Sequence, residues 1–138
     1  MRVSQRIDYA LRALALLATR PEGTQVAAGD LADRLLLPRR FVEQQITALA
    51  RTGIVECRRG VGGGCVLARP AGDVTALEIV RALEGGAVDI PRQEDSSAAA
   101  LWQGLAESVD GYLASVTLED LADAQREIDA RLEPVYYI

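Results

Sequence analysis

Residues 38–70 read PRRFVEQQITALARTGIVECRRGVGGGCVLARP, and this stretch decides the fold. Val42, Ile46 and Leu49 recur at helical spacing and form an apolar stripe. Arg40, Glu43, Gln44, Thr47 and Arg51 fall on the opposite side of the same helix. Pro38 suits a first helical position, where its missing N–H costs nothing, and Gly53 stands just past the end, so the helix is expected over about 39–52. Ile54–Arg58 and Cys65–Ala68 read as two short strands. The loop between them carries Gly60, Gly62, Gly63 and Gly64, which supply positive-φ positions for a turn. An arginine-fronted helix followed by a basic, glycine-tipped hairpin is the layout of a recognition helix and a wing. Such a helix can enter the DNA major groove while the hairpin reaches backbone or minor groove beside it. Arg pairs bidentately with guanine, Gln with adenine, and Glu accepts from cytosine N4. A Gly-rich loop can also cradle a nucleotide phosphate, but here no Lys-Ser/Thr pair follows and no helix begins at its end.

Two helices precede this unit. Ser4 is an N-cap for a helix to about Thr19, with Ile7, Leu11, Leu14 and Ala18 facing a core, and Pro21-Glu22-Gly23 ends it. The second runs from about Ala28 to Leu35 with Leu31 and Leu35 inward, and Leu36-Leu37-Pro38 turns the chain into the third. After the hairpin, Asp73-Val74-Thr75-Ala76 opens a helix to about Glu84 with Leu77, Val80 and Leu83 inward, stopped by Gly85-Gly86. Residues 87–97 are polar and read as a loop. A longer helix is expected over about 98–115, where Leu101, Leu105, Val109, Tyr112 and Val116 alternate spacings of four and three, the pattern of a helix–helix seam. Thr117 caps a last helix with Asp120 in the capping-box position, and Leu118, Leu121, Ile128 and Leu132 give it a weaker apolar face.

The expected class is therefore mainly α with a small β-hairpin: a winged helix-turn-helix over 1–86, a linker loop over 87–97, and a dimerisation helix with a C-terminal helix over 98–138. A chain of 138 residues is long enough for one compact domain and an appendage. No apolar run is long enough to cross a membrane. The N-terminal MRVSQRIDYALRALALLATR is interrupted by Asp8 and Arg12 and reads as an amphipathic helix of a cytoplasmic protein rather than a signal peptide.

The net charge of −5 is distributed in a telling way. Residues 34–70 carry seven Arg against Glu43 and Glu56, whereas residues 71–138 carry four Arg against fourteen acids. Screening confines a charge's field to about 8–10 Å at ordinary salt. The basic middle can thus meet phosphate while the acidic part faces away. Charge runs are more often plain solvated faces, but here the arginines fall on the helix and the hairpin. The chain has no His, the commonest general base and metal ligand, and no nucleophile–base set is evident, which argues against an enzyme.

The same residues resemble the Rrf2 type of bacterial winged-helix regulators, including the iron–sulfur cluster regulator branch. The resemblance runs through MRVSQRIDYALRAL, DLADRL, FVEQQITAL, RRGVGGGCVLARP, VTALEIVRALEG and ALW…GYLASVTLEDL. It implies a homodimer held by the long helix, with recognition helices in successive major grooves of a partly palindromic operator. By position it implies helix contacts from Arg39, Arg40, Glu43, Gln44 and Thr47 and wing contacts from Arg58 and Arg59. Many relatives hold a cluster through three cysteines ahead of the dimerisation helix. This chain has none there, so no cofactor and no metal site is expected. Asp8 matches a carboxylate ligand of some nitric-oxide-sensing relatives but cannot hold a cluster alone, and a carboxylate near a helix N-terminus is favoured by the dipole anyway. Leu36 departs from the Gly or Asn that relatives often place in that turn.

Cys57 and Cys65 lie symmetrically about Val61, so a hairpin turning there sets them opposite each other. The plainer reading is two small apolar residues in a reducing cytosol. The sharper one is a redox-active thiol pair in the wing, beside the charges of Arg58 and Arg59. The expectation is a dimeric repressor that binds a double-stranded operator without a family-type cluster. Its signal is open among a protein partner, an oxidant and a small molecule. The rivals are a thiol-sensing regulator acting through Cys57 and Cys65, and an interaction module that has lost DNA binding.

Overall fold

The computed structural model describes residues 2–86, 89–91 and 93–132. The elements run α1 (Gln5–Ala18), α2 (Ala28–Leu35), α3 (Arg39–Arg51), β1 (Val55–Arg58), β2 (Gly64–Leu67), a 3-10 turn (Ala71–Asp73), α4 (Ala76–Glu84), α5 (Ala99–Ser115) and α6 (Leu118–Leu132). α1 is the central helix: α2, α3, α4 and α6 all pack on it. It is buried on one stripe at first (Ile7, Ala10) and on all sides from Ala13 to Ala18, as a helix surrounded by neighbours must be. Ser4 caps it, its Oγ accepting from the Ile7 N–H at 3.3 Å.

The expected bounds of α2 are met, and Leu31 and Ala32 are buried. Its last turn is closed by Leu36 at φ 57°, ψ 40°. This is the one non-glycine positive φ among the described residues. Leu36 is 90% exposed, so no packing offsets the strain. A Cβ in left-handed backbone costs roughly 1–2 kcal/mol, least for Asn. Leu36→Asn should therefore stabilise the protein by about 0.5–1 kcal/mol. That would be read as a higher urea midpoint at unchanged slope, and a lower midpoint would show that Leu36 has a packing role.

α3 begins one residue later than the proline rule suggests: Pro38 is the extended N-cap and Arg39 the first helical residue. Val42, Ile46 and Leu49 are buried as expected. The hairpin pairs Val55 with Leu67, Glu56 with Val66, Cys57 with Cys65 and Arg58 with Gly64. Each strand starts one residue away from its expected start. The hairpin also has a third member that periodicity did not show. Val26, between α1 and α2, exchanges two backbone hydrogen bonds with Cys65, at 2.9 and 2.8 Å.

α4 starts at Ala76 rather than near Asp73, because Thr75 forms a capping box with Glu78 and the preceding residues make a 3-10 turn. Val80 and Leu83 are buried, but the remaining inward positions are Ala76 and Ile79, with Leu77 only half-buried. The capping pair of α6 is present: Asp120 Oδ2 accepts from the Thr117 N–H at 2.9 Å, and Thr117 Oγ1 from the Asp120 N–H at 3.2 Å. Leu118 and Ala122 join the core around α1. Ile128 and Leu132 do not continue that face: they are exposed. Arg126 lies against the end of α1, its guanidinium 3.4 Å from the Ala18 carbonyl oxygen. Beyond it α1 offers no further surface. The two halves of the chain are stitched by backbone bonds from Ala76 to Val116 (2.8 Å) and from Leu118 to Val74 (2.9 Å).

Candidate nucleic-acid interface

Arg40, Glu43, Gln44, Thr47 and Arg51 all lie on the exposed side of α3. Thr47 donates its hydroxyl to the Glu43 carbonyl at 2.9 Å, which fixes its rotamer. Arg39 is committed within the chain. It sits 3.5 Å from both Asp33 and Glu43, clamping α2 to α3. Its guanidinium lies over Gly29, where a Cβ would collide with it.

One member of this face was not legible from spacing. Arg6 comes from α1, and its Nε donates to Gln45 Oε1 at 2.6 Å. Gln45 is the sole buried polar side chain among the described residues. The pair satisfies that buried amide and sets Arg6 beside Arg40, Gln44 and Arg51 around a shallow concavity. A local sequence pattern carries no signal for such a contact between distant helices.

The wing turns at Gly60-Val61-Gly62-Gly63, closed by the Gly63 N–H to the Gly60 carbonyl at 2.9 Å. Gly62, at φ 76°, occupies the turn position that requires positive φ. Gly64 has a different reason. A Cβ there would stand 2.8 Å from the Val26 backbone, so only glycine lets β2 dock on that segment. Arg58 and Arg59 flank the turn and are exposed, and Val61 projects at the tip. Cys57 and Cys65 are joined as a disulfide, an arrangement compatible with the redox-active reading of the pair. At the base of the wing Arg69 donates to Glu78, which holds that carboxyl below its usual range against the opposing effect of partial burial. This anchor is present at neutral pH and weakens only as acid protonates Glu78 below the usual carboxylate range.

Of the seven arginines between 34 and 70, Arg39 and Arg69 are ion-paired. Among the described residues Arg34, Arg40, Arg51, Arg58 and Arg59 make no ion pair. Four of these cations, Arg40, Arg51, Arg58 and Arg59, lie on α3 and the wing and form a surface suited to a polyanion, with Arg34 on α2.

The family model of Rrf2, described as an iron-dependent transcriptional regulator, matches residues 3–124. The chain belongs to the Rrf2 family. It is 33% identical over 131 residues to Rv1287 of Mycobacterium tuberculosis, named as an HTH-type transcriptional regulator, covering 88% of this chain and 81% of the relative. Among solved structures it is similar to CymR, the global cysteine regulator of B. subtilis, with TM-score 0.80, 31% identity, and 90% and 98% of the two chains covered. It is equally similar to IscR of T. potens, with TM-score 0.79, 29% identity, and 99% and 95% covered. The fold is thus the winged helix of Rrf2 regulators, and DNA binding follows by homology.

Rrf2 proteins described as iron-dependent need ligands for iron, and the donor set here does not fit a thiolate-held cluster. The chain has two cysteines and no His. Both cysteines lie in the wing, bonded to each other. Among the described residues no three His, Cys, Asp or Glu side chains converge as a metal set. Asp8 is exposed and lies 3.7 Å from Arg12.

The remaining site residues lie on α5, which buries none of its residues in the single chain, and at Val116 just past its end. Leu101 and Tyr112 are 65% and 69% exposed, and Leu105, Val109 and Val116 are half-buried. Between α5 and the end of α4 runs an open cleft of about 640 Å³, lined in part by Gly85, Trp102, Ala106 and Val109, with Arg81 3.6 Å from Asp110 at its edge.

Proposed function

We propose that this Rrf2 protein is a cytoplasmic, homodimeric repressor that binds a partly palindromic DNA operator and carries no family-type iron–sulfur cluster. The observation that carries the reading is the set of unneutralised arginines on α3 and the wing, in a chain whose net charge is negative. Arg40, Glu43, Gln44 and Thr47 read base edges, and Arg39 holds the recognition helix while reaching the backbone from its first turn. Arg58 and Arg59 contact phosphate or minor groove. The apolar face of α5, Leu101, Leu105, Val109 and Tyr112, continued by Val116 just past its end, is covered by the same face of a second copy. The two-cysteine donor set supports the cluster-free state.

The test is selection of a duplex from random-sequence DNA, followed by affinity measurements across salt. One preferred sequence and a steep fall of affinity with salt are expected, roughly one unit of log–log slope per phosphate contact. Protein purified without oxygen should be colourless and low in iron yet bind that duplex. Equal affinity for every sequence without salt dependence would remove the DNA-binding reading and favour a protein-interaction module. Stoichiometric iron and sulfide would remove the cluster-free one.

A further inference from the structure

We propose that Cys57 and Cys65 form a reversible dithiol–disulfide site whose closure fixes the wing in its DNA-binding shape, a regulation that rests on the DNA-binding reading above. Cys65 directs both its N–H and its C=O to Val26. A strand residue sends both groups to the same side, so toward β1 the Cys57–Cys65 position is a non-hydrogen-bonded pair. Facing side chains come closest at such positions, and the Cα atoms here are 4.2 Å apart. Two thiols held in this register can join or part while the backbone ladder stays in place.

The pair is also asymmetric. Cys57 is exposed, whereas Cys65 is 5% exposed. An oxidant in solution therefore meets Cys57 first. With hydrogen peroxide as the oxidant, the Cys57 thiolate attacks one peroxide oxygen, the O–O bond breaks, and the departing oxygen leaves as water after taking a proton. Cys57 is then a sulfenic acid. The Cys65 thiolate attacks that sulfur, the S–O bond breaks, and a second water leaves. Two thiols have lost two electrons and two protons, and peroxide has become two waters. A small dithiol reverses the step through a mixed disulfide and ends as its own disulfide. In a reducing compartment a disulfide of this kind is a state that changes, not a permanent staple.

The consequence for DNA follows from what the bond encloses. The ring from Cys57 to Cys65 contains Arg58, Arg59 and all four glycines of the tip. Such a loop has much backbone freedom to lose. Beyond the cysteines a single rung, Arg58 with Gly64, ties the arginine end of β1 to β2. β2 is docked on Val26 and the ladder holds β1 to β2, and the cross-link adds a covalent tie next to both arginines. With it open, DNA must order the tip as it binds.

The whole chain would be prepared in two forms, one treated with excess dithiol and one with hydrogen peroxide after removal of the dithiol. Thiol counting and mass would verify two free thiols in the first and the loss of two hydrogens in the second. Affinity for a labelled duplex, selected by both forms from random-sequence DNA, would then be measured at one salt concentration. The disulfide form should bind about tenfold tighter, the scale of a modest gain in preorganisation. Cys57→Ser, at the exposed position, should bind like the dithiol form and ignore peroxide, with an unchanged circular dichroism spectrum. Equal affinity of the two forms, tighter binding by the dithiol form, or a bond that neither reagent opens or closes would each overturn the proposal while leaving DNA binding intact. If neither form selects a duplex, the DNA-binding reading itself fails and the proposal falls with it.

Discussion

Val109→Glu is expected to dissociate the proposed dimer to monomer or aggregate, with a large loss of operator affinity. Val109 sits mid-way along α5, a helix of 17 residues that buries none of them within its own chain. Leu101 and Tyr112, one turn or two to either side, are largely exposed. An exposed apolar face of that length marks a surface built for contact with a partner. Under two-fold symmetry each copy would place its Glu in the same contact. An unpaired carboxylate in an apolar contact costs several kcal/mol by desolvation. At about 1.4 kcal/mol per factor of ten, the dimer should weaken by roughly a thousandfold or more. Sedimentation or light scattering measures this directly. Helix content should change little, because the side chain is half-buried and outside the core around α1. A variant that dimerises as tightly as the parent would place the interface elsewhere.

The second large effect is expected from removing both wing cations together. Arg58→Ala with Arg59→Ala takes two charges from each wing and thus four from a dimer. Each lost phosphate contact lowers the salt slope by roughly 0.9, so a fall of about 3–4 is expected. The affinity near physiological salt should drop on the order of 100-fold or more. The preferred sequence should stay the same, since phosphate contacts position the protein without reading bases. Glu43→Ala should do the reverse, shifting which sequence is preferred more than how tightly DNA is held. It also releases Arg39 from one of its two partners. An undiminished salt slope in the double variant would mean that the wing does not touch DNA.

Much of this architecture was legible because it is written in local chemistry. The stripe Val42-Ile46-Leu49, the Ser4 and Thr117 caps and the stop at Gly85 follow from spacing and capping rules, and the structure has each of them. Counting outward from Val61 was enough to oppose the cysteines. Non-local events were not legible. Val26 pairs with Cys65, far apart in the sequence, and the Arg6–Gln45 contact joins two helices whose own patterns are complete without it. Ile128 and Leu132 show the opposite error. Their spacing continues the face of Leu118, but α1 has ended, so apolar periodicity outlasts the surface it would pack on. The candidate DNA face was readable as residue types. The division of its arginines into committed and uncommitted was not, since it depends on where Asp33 and Glu78 arrive in space.

The Val26 bridge has a consequence in the mechanics of the molecule. A hairpin joined to its domain only through its two ends can swing. This one is also fastened at Cys65 of its inner strand to the segment that leads into α2, which stiffens its base. Recognition helix and wing then behave as the fixed jaws of a calliper. For a protein that grips a major groove with one jaw and the adjoining minor groove with the other, the gap is a ruler for helical twist. A duplex wound too tightly or too loosely carries its second groove away from the jaw, and sequence steps that resist or accept rewinding are sorted at positions that no side chain touches.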